Sequence, residues 1–240
     1  MKAFRIFLLI LIIIGLGLIF TRKYWVPKFV DQILTWEGQD TEQKVAPEQE
    51  KKIASSITIT TKDIKEANFT GKVAVVSGSS PLAKKSREYI DARVGEFRKE
   101  ANTDVPNVRA KFGADSGAAM YEISIDAKHV KSERIESIVM LVYTYTGGAH
   151  GNSTYKVITA NSSRVISLSD IIKQDKKDAF TSHVKKELNE WRPDGSSGLV
   201  VFPDEVKNLT FSSFSNWSLD DKNLIIYFDQ YDVGPGALGA

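Results

Sequence analysis

The feature that most constrains this chain is an apolar run near its start. The run begins at Ile6 and ends at Phe20, reads IFLLILIIIGLGLIF, and contains no charged or strongly polar side chain. Basic residues flank it, Arg5 before and Arg22 after. Because such a run is more soluble in hydrocarbon than in water, it predicts a membrane helix, although it is shorter than the roughly 20 residues that usually span a bilayer.

Three interpretations of this run are open: an uncleaved signal anchor, a cleaved signal peptide and a buried core helix. The small residues Gly15 and Gly17 lie inside the run, whereas a cleavage site would need small residues just after it. Tyr24 and Trp25 are suited to the headgroup level and lengthen the effective span. We therefore favour an uncleaved anchor over residues 1–25, which contacts the lipid bilayer from Ile6 to Phe20 and ends at Trp25.

The anchor predicts where the rest of the chain lies. Only five residues precede the run, too few for a folded domain. We expect a single-pass protein of a bacterial cytoplasmic membrane, with its folded body on the extracytoplasmic side. Residues 26–54, rich in Gln, Glu, Lys and Pro, are predicted to be a polar linker.

Charge and cysteine content exclude several classes of function. The net charge is +2, yet the first 23 residues hold four of the 32 basic residues and none of the 30 acidic ones, so the remainder carries −2. A body without surplus positive charge is not expected to bind nucleic acid. The chain has no cysteine, which excludes a disulfide scaffold, a thiolate zinc site and a cysteine nucleophile.

Beyond the linker, strand and helix patterns alternate without a regular βαβ order. This favours an α+β fold with antiparallel sheets and two main helices, divided into a smaller half over residues 55–132 and a second half over 133–240. The first helix is predicted from Pro81, capped by Ser80, to about Ala101. A short helix is predicted at Ile171, and a longer helix is predicted to begin at Asp175. Strands are predicted at residues 57–60, 73–76, 121–126, 135–145, 155–159, 211–217 and 224–228.

The candidate chemistry centres on one of three histidines. His129 follows a predicted strand and is expected to have no functional role, and His183 is expected to be an exposed helix residue. His150 lies between glycines at the end of a predicted strand, in the sequence GGAHGN, where glycine permits close backbone approach or positive φ. No metal-ligand spacing, nucleophile motif or phosphate-binding loop occurs, so no catalytic residue, metal or cofactor is predicted.

Two segments carry a resemblance to a known family. They are YTYTGGAHGNSTYKVITANSSRVISLSDII and DKNLIIYFDQYDVGPGALG. Together they resemble the RsiV/PdaC-type extracytoplasmic domain of bacterial envelope proteins, in which a strand ends in Gly-Gly-Ala-His, a return strand follows, and a late motif of the type YeVaPyaaG completes the domain. The resemblance covers about residues 69–240, with a PdaC-like first half and an RsiV-like second half.

The resemblance implies a function. One family member is a membrane-anchored anti-sigma factor whose outer domain binds lysozyme, and in another the domain precedes a peptidoglycan deacetylase. Nothing in this chain resembles the deacetylase catalytic domain. The chain is therefore expected to be a membrane-anchored binding module without catalysis of its own, which recognises a lysozyme-like protein or a cell-wall glycan such as peptidoglycan. The predicted ligand-binding residues are Gly147, Gly148, His150, Asn152, Tyr231 and Asp232.

Two alternatives remain open. The body could be an envelope glycan hydrolase or deacetylase with a site near His150, because carboxylate partners assemble in space rather than in sequence. It could instead be a structural or assembly partner of another envelope protein.

Overall fold

The computed structural model describes residues 56–114, 116–192 and 200–235, and these form an α+β fold, as predicted. Its helices are α1 (Pro81–Phe112), α2 (Lys177–Glu190) and α3 (Pro203–Asn208). Its strands are β1 (Thr58–Lys65), β2 (Thr70–Ser77), β3 (Tyr121–Lys131), β4 (Glu136–Thr146), β5 (Asn152–Ala160), β6 (Val165–Ile166), β7 (Trp217–Leu219) and β8 (Leu224–Ile226).

Six of these strands form one sheet in the order β1-β2-β3-β4-β5-β6, and β7 and β8 pair separately. The predicted antiparallel pairing of β3 with β4 is confirmed. The expectation of purely antiparallel pairing is wrong at one position, because β2 and β3 run parallel. The 32-residue α1 lies between them and carries the chain back across the sheet, as a parallel connection requires.

The helices and sheets pack together around two apolar cores. The first lies between α1 and one face of the sheet, where Phe97 packs edge-to-face on Phe69 with ring centroids 5.4 Å apart. The second joins α2, α3 and the β7–β8 pair around Phe214 and Trp217, both fully buried. The predicted boundary at residues 132 and 133 falls in the turn between β3 and β4, so strands from both halves share one sheet.

Helix α1 begins as predicted and ends later than predicted. Ser80 Oγ accepts the Ala83 N–H at 3.2 Å, and Pro81 occupies the first turn. The helix continues past Ala101 to Phe112 because Val105 extends the buried face by one more turn, even though Pro106 cannot donate a backbone hydrogen bond. Burial of the apolar face thus outweighs the cost of an internal proline.

The second half differs from the sequence prediction in three short elements. A 3-10 helix spans Leu168–Asp170, so Ile171 follows it instead of lying in a helix. Another 3-10 helix, Phe211–Phe214, replaces the start of the predicted strand at 211–217. A third, Gln174–Lys176, precedes α2, which starts at Lys177 rather than Asp175.

The predicted anchor residues Ile6, Phe20 and Trp25 and the predicted linker lie outside the described residues. Among the residues that the structure does describe, no helix combines the length and apolarity needed to cross a bilayer.

One prediction arises from the turn after β5. Asp170 accepts hydrogen bonds from Arg164 Nη2 at 2.7 Å and from Ser167 Oγ and N at 2.6 Å each. The Arg164 bond first, and then the two Ser167 bonds, lower the pKa of Asp170 from its usual 3.8 to about 2. A carboxyl group whose pKa is lowered by folding stabilises the fold at pH values above its usual pKa. That stability is lost as the pH falls towards the pKa of the folded state.

We therefore expect Asp170→Asn to lower the free energy of unfolding near neutral pH by about 1 kcal/mol, after allowance for solvent screening. The difference between wild type and variant should close between about pH 4 and pH 2 in urea titrations. Asp175→Asn is the control, because the Asp175 side chain is 71% exposed and its ion pair with Lys176 is long, at 3.6 Å. A difference that stays constant with pH would contradict the assignment.

Candidate functional site

The loop at residues 147–151, between β4 and β5, is positioned by two glycines. Gly147 has φ +80°, in the left-handed region that favours glycine, and a Cβ there would overlap the carbonyl of Ala118. A Cβ on Gly151 would overlap the ring of Tyr143. Gly148 has room for a side chain, because a Cβ there would lie at an ordinary contact distance of 3.8 Å from its nearest atom, His150 O. Two of the glycines are therefore required by close packing.

This loop meets the late motif of the chain. The rings of His150 and Tyr231 lie 6.5 Å apart between centroids, and both side chains are exposed. Tyr231 has φ +74° and is the one non-glycine residue of the described ranges with positive φ. Tyrosine in this conformation is strained, and such strain is concentrated at binding and catalytic sites.

The outer edge of β5 brings the two motifs together. Gln230 N donates to Ser153 O at 3.2 Å, and Gln230 Oε1 accepts from Ser153 N at 3.1 Å. Asp229 Oδ1 accepts the Tyr155 N–H at 2.5 Å. Side chains of the chain end thus take the place of a neighbouring strand along this part of β5.

Asn216 completes the same edge. Its Oδ1 accepts the Val157 N–H at 3.0 Å, and its Nδ2 donates to Tyr155 O at 2.9 Å. Two backbone groups of β5 therefore depend on one amide side chain.

The predicted site residues are not all equivalent. Gly148 O accepts the hydroxyl of Tyr145 at 2.9 Å, and His150 Nδ1 lies 2.9 Å from Gly151 O. Asn152 begins β5 and is exposed. Asp232 is turned back towards its own segment, where its Oδ2 accepts the Asp229 N–H at 2.9 Å. His150 and Tyr231 are thus the pair that presents side chains together on the surface.

A half-buried acid lies behind this pair. Burial, and to a lesser extent the nearby carboxylate of Asp232, raise the pKa of Asp229, while the hydrogen bond from Tyr155 N lowers it. Burial is also the main reason why the pKa of Tyr155 is raised. The rings of Tyr155 and Tyr227 lie 5.0 Å apart. An acid with this environment, next to a strained exposed tyrosine, is typical of a functional surface.

A groove of about 410 Å³ lies beside the loop, at the end of the sheet. We call it the tyrosine groove, because Tyr143 and Tyr145 of β4 form one wall. Sequence reasoning did not identify it, although the spacing of two residues in a strand places these rings on the same face. Its lining residues are Glu66, Ala67, Asn68, Phe69, Thr70, Arg109, Ala119, Met120, Tyr121, Glu122, Tyr143 and Tyr145.

A second, larger groove of about 670 Å³ lies between α1 and the β1–β2 pair. Two of its arginines already have partners: Arg87 donates to Val76 O and Gly78 O, and Arg98 pairs with Glu66 at 2.8 Å. These interactions tie the hairpin to α1, so we interpret this groove as part of the scaffold.

The other two histidines have structural partners. His129, predicted to follow a strand, lies within β3, and its Nε2 is 3.1 Å from the buried Glu136 Oε2. The expectation that His183 is exposed is wrong: it lies in α2 as predicted, but it is half-buried, with Nδ1 4.0 Å from Glu187. Within the described ranges, no three His, Asp or Glu side chains are grouped as metal ligands.

Comparison with known proteins places these features in two family models. Residues 42–153 match the model described as deacetylase PdaC, and residues 169–240 match the model described as a protein of unknown function, DUF3298. No curated protein matches the chain in sequence. Together the two models indicate an uncharacterised, envelope-associated domain.

One solved structure shows the same fold, and a second is similar to a smaller degree. A DUF3298 family member from Bacteroides fragilis is 15% identical, covers 77% of this chain and 88% of its own, and superimposes with a TM-score of 0.54. A DUF3298 family protein from Pseudomonas aeruginosa is 14% identical, with coverage of 77% and 87% and a TM-score of 0.46. The two family matches confirm the resemblance predicted from the sequence, to a PdaC/DUF3298-type domain of unknown function.

Proposed function

We propose that this protein is a membrane-tethered binding module on the extracytoplasmic side of a bacterial envelope, and that it recognises cell-wall glycan at the 147–151 loop. The observation that carries the proposal is the convergence of His150 and Tyr231 beside the tyrosine groove. The apolar run at the start of the chain supports the tether, because it matches a signal anchor followed by a polar spacer.

The chemistry of this surface suits a sugar. Aromatic rings stack on the apolar C–H face of a sugar ring, while hydroxyl and amide groups bond its hydroxyls. Tyr231, Tyr143 and Tyr145 supply rings with a polar end, and Asn152 lies exposed beside them. A concave surface with a few polar groups among aromatic side chains is the usual form of a small-ligand site.

A lysozyme-like protein is the second candidate ligand. The observation that favours it is the exposed apolar side chain of Met120, which is 67% accessible at the rim of the tyrosine groove. Exposed methionine is enriched at the centres of protein interfaces. A protein that binds there would cover both the groove and the loop.

The test uses the full-length chain in a detergent without a sugar headgroup, so that the detergent does not compete. Wild type should sediment with insoluble peptidoglycan and bind chitooligosaccharides in calorimetry. His150→Ala and Tyr231→Gly should each weaken binding about tenfold, the loss expected for one good ring contact. Glycine suits the backbone of Tyr231, so this variant removes the ring without adding strain.

Phe112→Ala is the matched control, since Phe112 is an aromatic side chain that is 59% exposed at the end of α1 and does not line the groove. Binding by both site variants at wild-type strength would overturn the assigned surface. Binding of lysozyme without any binding of glycan would replace the first ligand with the second.

A further inference from the structure

One of the acidic residues that line the tyrosine groove, Glu122, lies beside its tyrosine wall. In the pairing of β3 with β4, Glu122 lies directly opposite Tyr145, and Ser124 lies opposite Tyr143. Residues opposite each other in an antiparallel pair share a face, and residues two apart on one strand do so as well. The carboxylate of Glu122 and both phenol rings therefore stand on the same face of the sheet.

The other charges of the groove are already engaged. Glu66 accepts two hydrogen bonds from Arg98 Nε and one from Nη2, at 2.8 to 3.1 Å. Arg109 donates to Asn68 Oδ1 and to Ala67 O, both at 3.0 Å, which directs its charge towards the turn between β1 and β2. Glu122 makes no side-chain hydrogen bond or ion pair with any residue that the structure describes.

The two rings next to Glu122 are held in place before any ligand arrives. The hydroxyl of Tyr145 donates to Gly148 O, and the ring of Tyr143 is covered by Gly151, which has no room for a side chain. A wall that is already ordered loses little conformational entropy when it binds. The loop that forms the proposed glycan surface thus also fixes the wall of the groove.

An exposed carboxylate on the same face as two ordered tyrosine rings is suited to a cation. An ammonium group can form a charge-assisted hydrogen bond with the carboxylate and interact favourably with the negative faces of both rings. A neutral acetamido group can donate one N–H to the carboxylate, but it carries no positive charge to pair with the carboxylate or to interact with the ring faces. At 410 Å³ the groove is near the lower end of small-ligand sites, so it accommodates a sugar unit rather than a protein face.

We propose that the tyrosine groove binds the protonated amino group of an unacetylated amino sugar, with Glu122 as its counter-ion and Tyr143 and Tyr145 as its walls. This inference rests on the proposed glycan function and adds the chemical group that the site selects. The remainder of the glycan extends along the loop past His150 and Tyr231.

The test compares two oligosaccharides of equal length, one fully N-acetylated and one fully de-N-acetylated glucosamine oligomer, at a pH that keeps the free amine protonated. Full-length wild type in the sugar-free detergent should bind the amino form about tenfold more tightly, the difference expected for one charge-assisted hydrogen bond. Added salt should reduce that preference.

Glu122→Gln should abolish the preference and leave affinity for the acetylated form unchanged, because glutamine keeps the shape without the charge. Glu96→Gln is the control: Glu96 is 69% exposed on α1, contacts Arg93 at 3.7 Å and does not line the groove. Thermal unfolding of both variants should match wild type, which separates lost recognition from lost folding.

The outcomes separate this inference from the proposed function. Equal affinity of wild type for both oligomers, or a preference that survives in Glu122→Gln, overturns the amino-sugar site and leaves glycan binding intact. Binding of neither oligomer nor peptidoglycan overturns both. Glu122-dependent binding of a lysine-rich peptide, without a preference between the oligomers, would assign the site to a protein amine and overturn the sugar.

Discussion

Gly147→Ala is expected to lower the free energy of unfolding by about 2 to 6 kcal/mol. The left-handed conformation of Gly147 costs an alanine about 1 to 3 kcal/mol, and the overlap of the new Cβ with the Ala118 carbonyl adds a packing cost of similar size. Urea unfolding followed by tryptophan fluorescence would measure the loss, and the 147–151 loop should exchange its amide protons faster.

Gly148→Ala is the matched control one residue further along. Gly148 does not have positive φ, and its added Cβ would meet its nearest neighbour at an ordinary 3.8 Å. Its free energy of unfolding should therefore stay within about 0.5 kcal/mol of wild type. Equal losses in the two variants would show that the loop does not pack against Ala118 as described.

Asn216→Ala is expected to cost about 2 to 3 kcal/mol. The substitution removes the acceptor for the Val157 N–H and the donor for Tyr155 O, and it leaves both groups half-buried at the edge of β5. A buried backbone group that loses its partner costs about 1 to 3 kcal/mol, and partial access of water keeps the sum in the lower part of the range for two groups. Chemical unfolding and amide exchange at Val157 measure the effect.

Two further variants sharpen this test. Asn216→Asp keeps an acceptor for Val157 but sets a carboxylate oxygen against Tyr155 O, so it should also destabilise the fold and should do so less at acidic pH. Asn208→Ala alters an exposed asparagine at the end of α3 and should change stability by no more than about 0.5 kcal/mol. Retention of Val157 protection in Asn216→Ala would contradict the proposed role of the amide.

The elements that the sequence predicted well are those whose signals are local. The cap at Ser80 with Pro81 marks the start of α1, and alternation marks β3, whereas β4 is a mostly apolar strand whose first five residues are all buried. The parallel pairing of β2 with β3 could not be predicted from alternation, because it depends on where α1 returns the chain. The 3-10 helix at Phe211–Phe214 was missed because aromatic residues are also enriched in strands, although the two phenylalanines are three residues apart, as in a 3-10 turn.

The candidate site was predictable to a similar extent. The sequence shows the glycines around His150 and the late motif that contains Tyr231. Only the fold shows that His150 and Tyr231 lie close together. The tyrosine groove was not visible in the sequence. Alternation places Glu122, Tyr143 and Tyr145 on one face, yet only the full packing shows that a groove is left at that end of the face and that Glu122 keeps no partner among the described residues.

The way in which the outer edge of β5 is completed has a consequence for association between molecules. A strand edge with unpaired N–H and C=O groups is a template on which another chain can add a strand. Here Asn216, Asp229 and Gln230 occupy those groups from Ser153 to Val157. Removal of this cover, by truncation before residue 216 or by proteolysis at that point, would expose these groups and make the edge a starting point for aggregation. Side chains of the late segment therefore protect this edge from pairing with a neighbouring molecule.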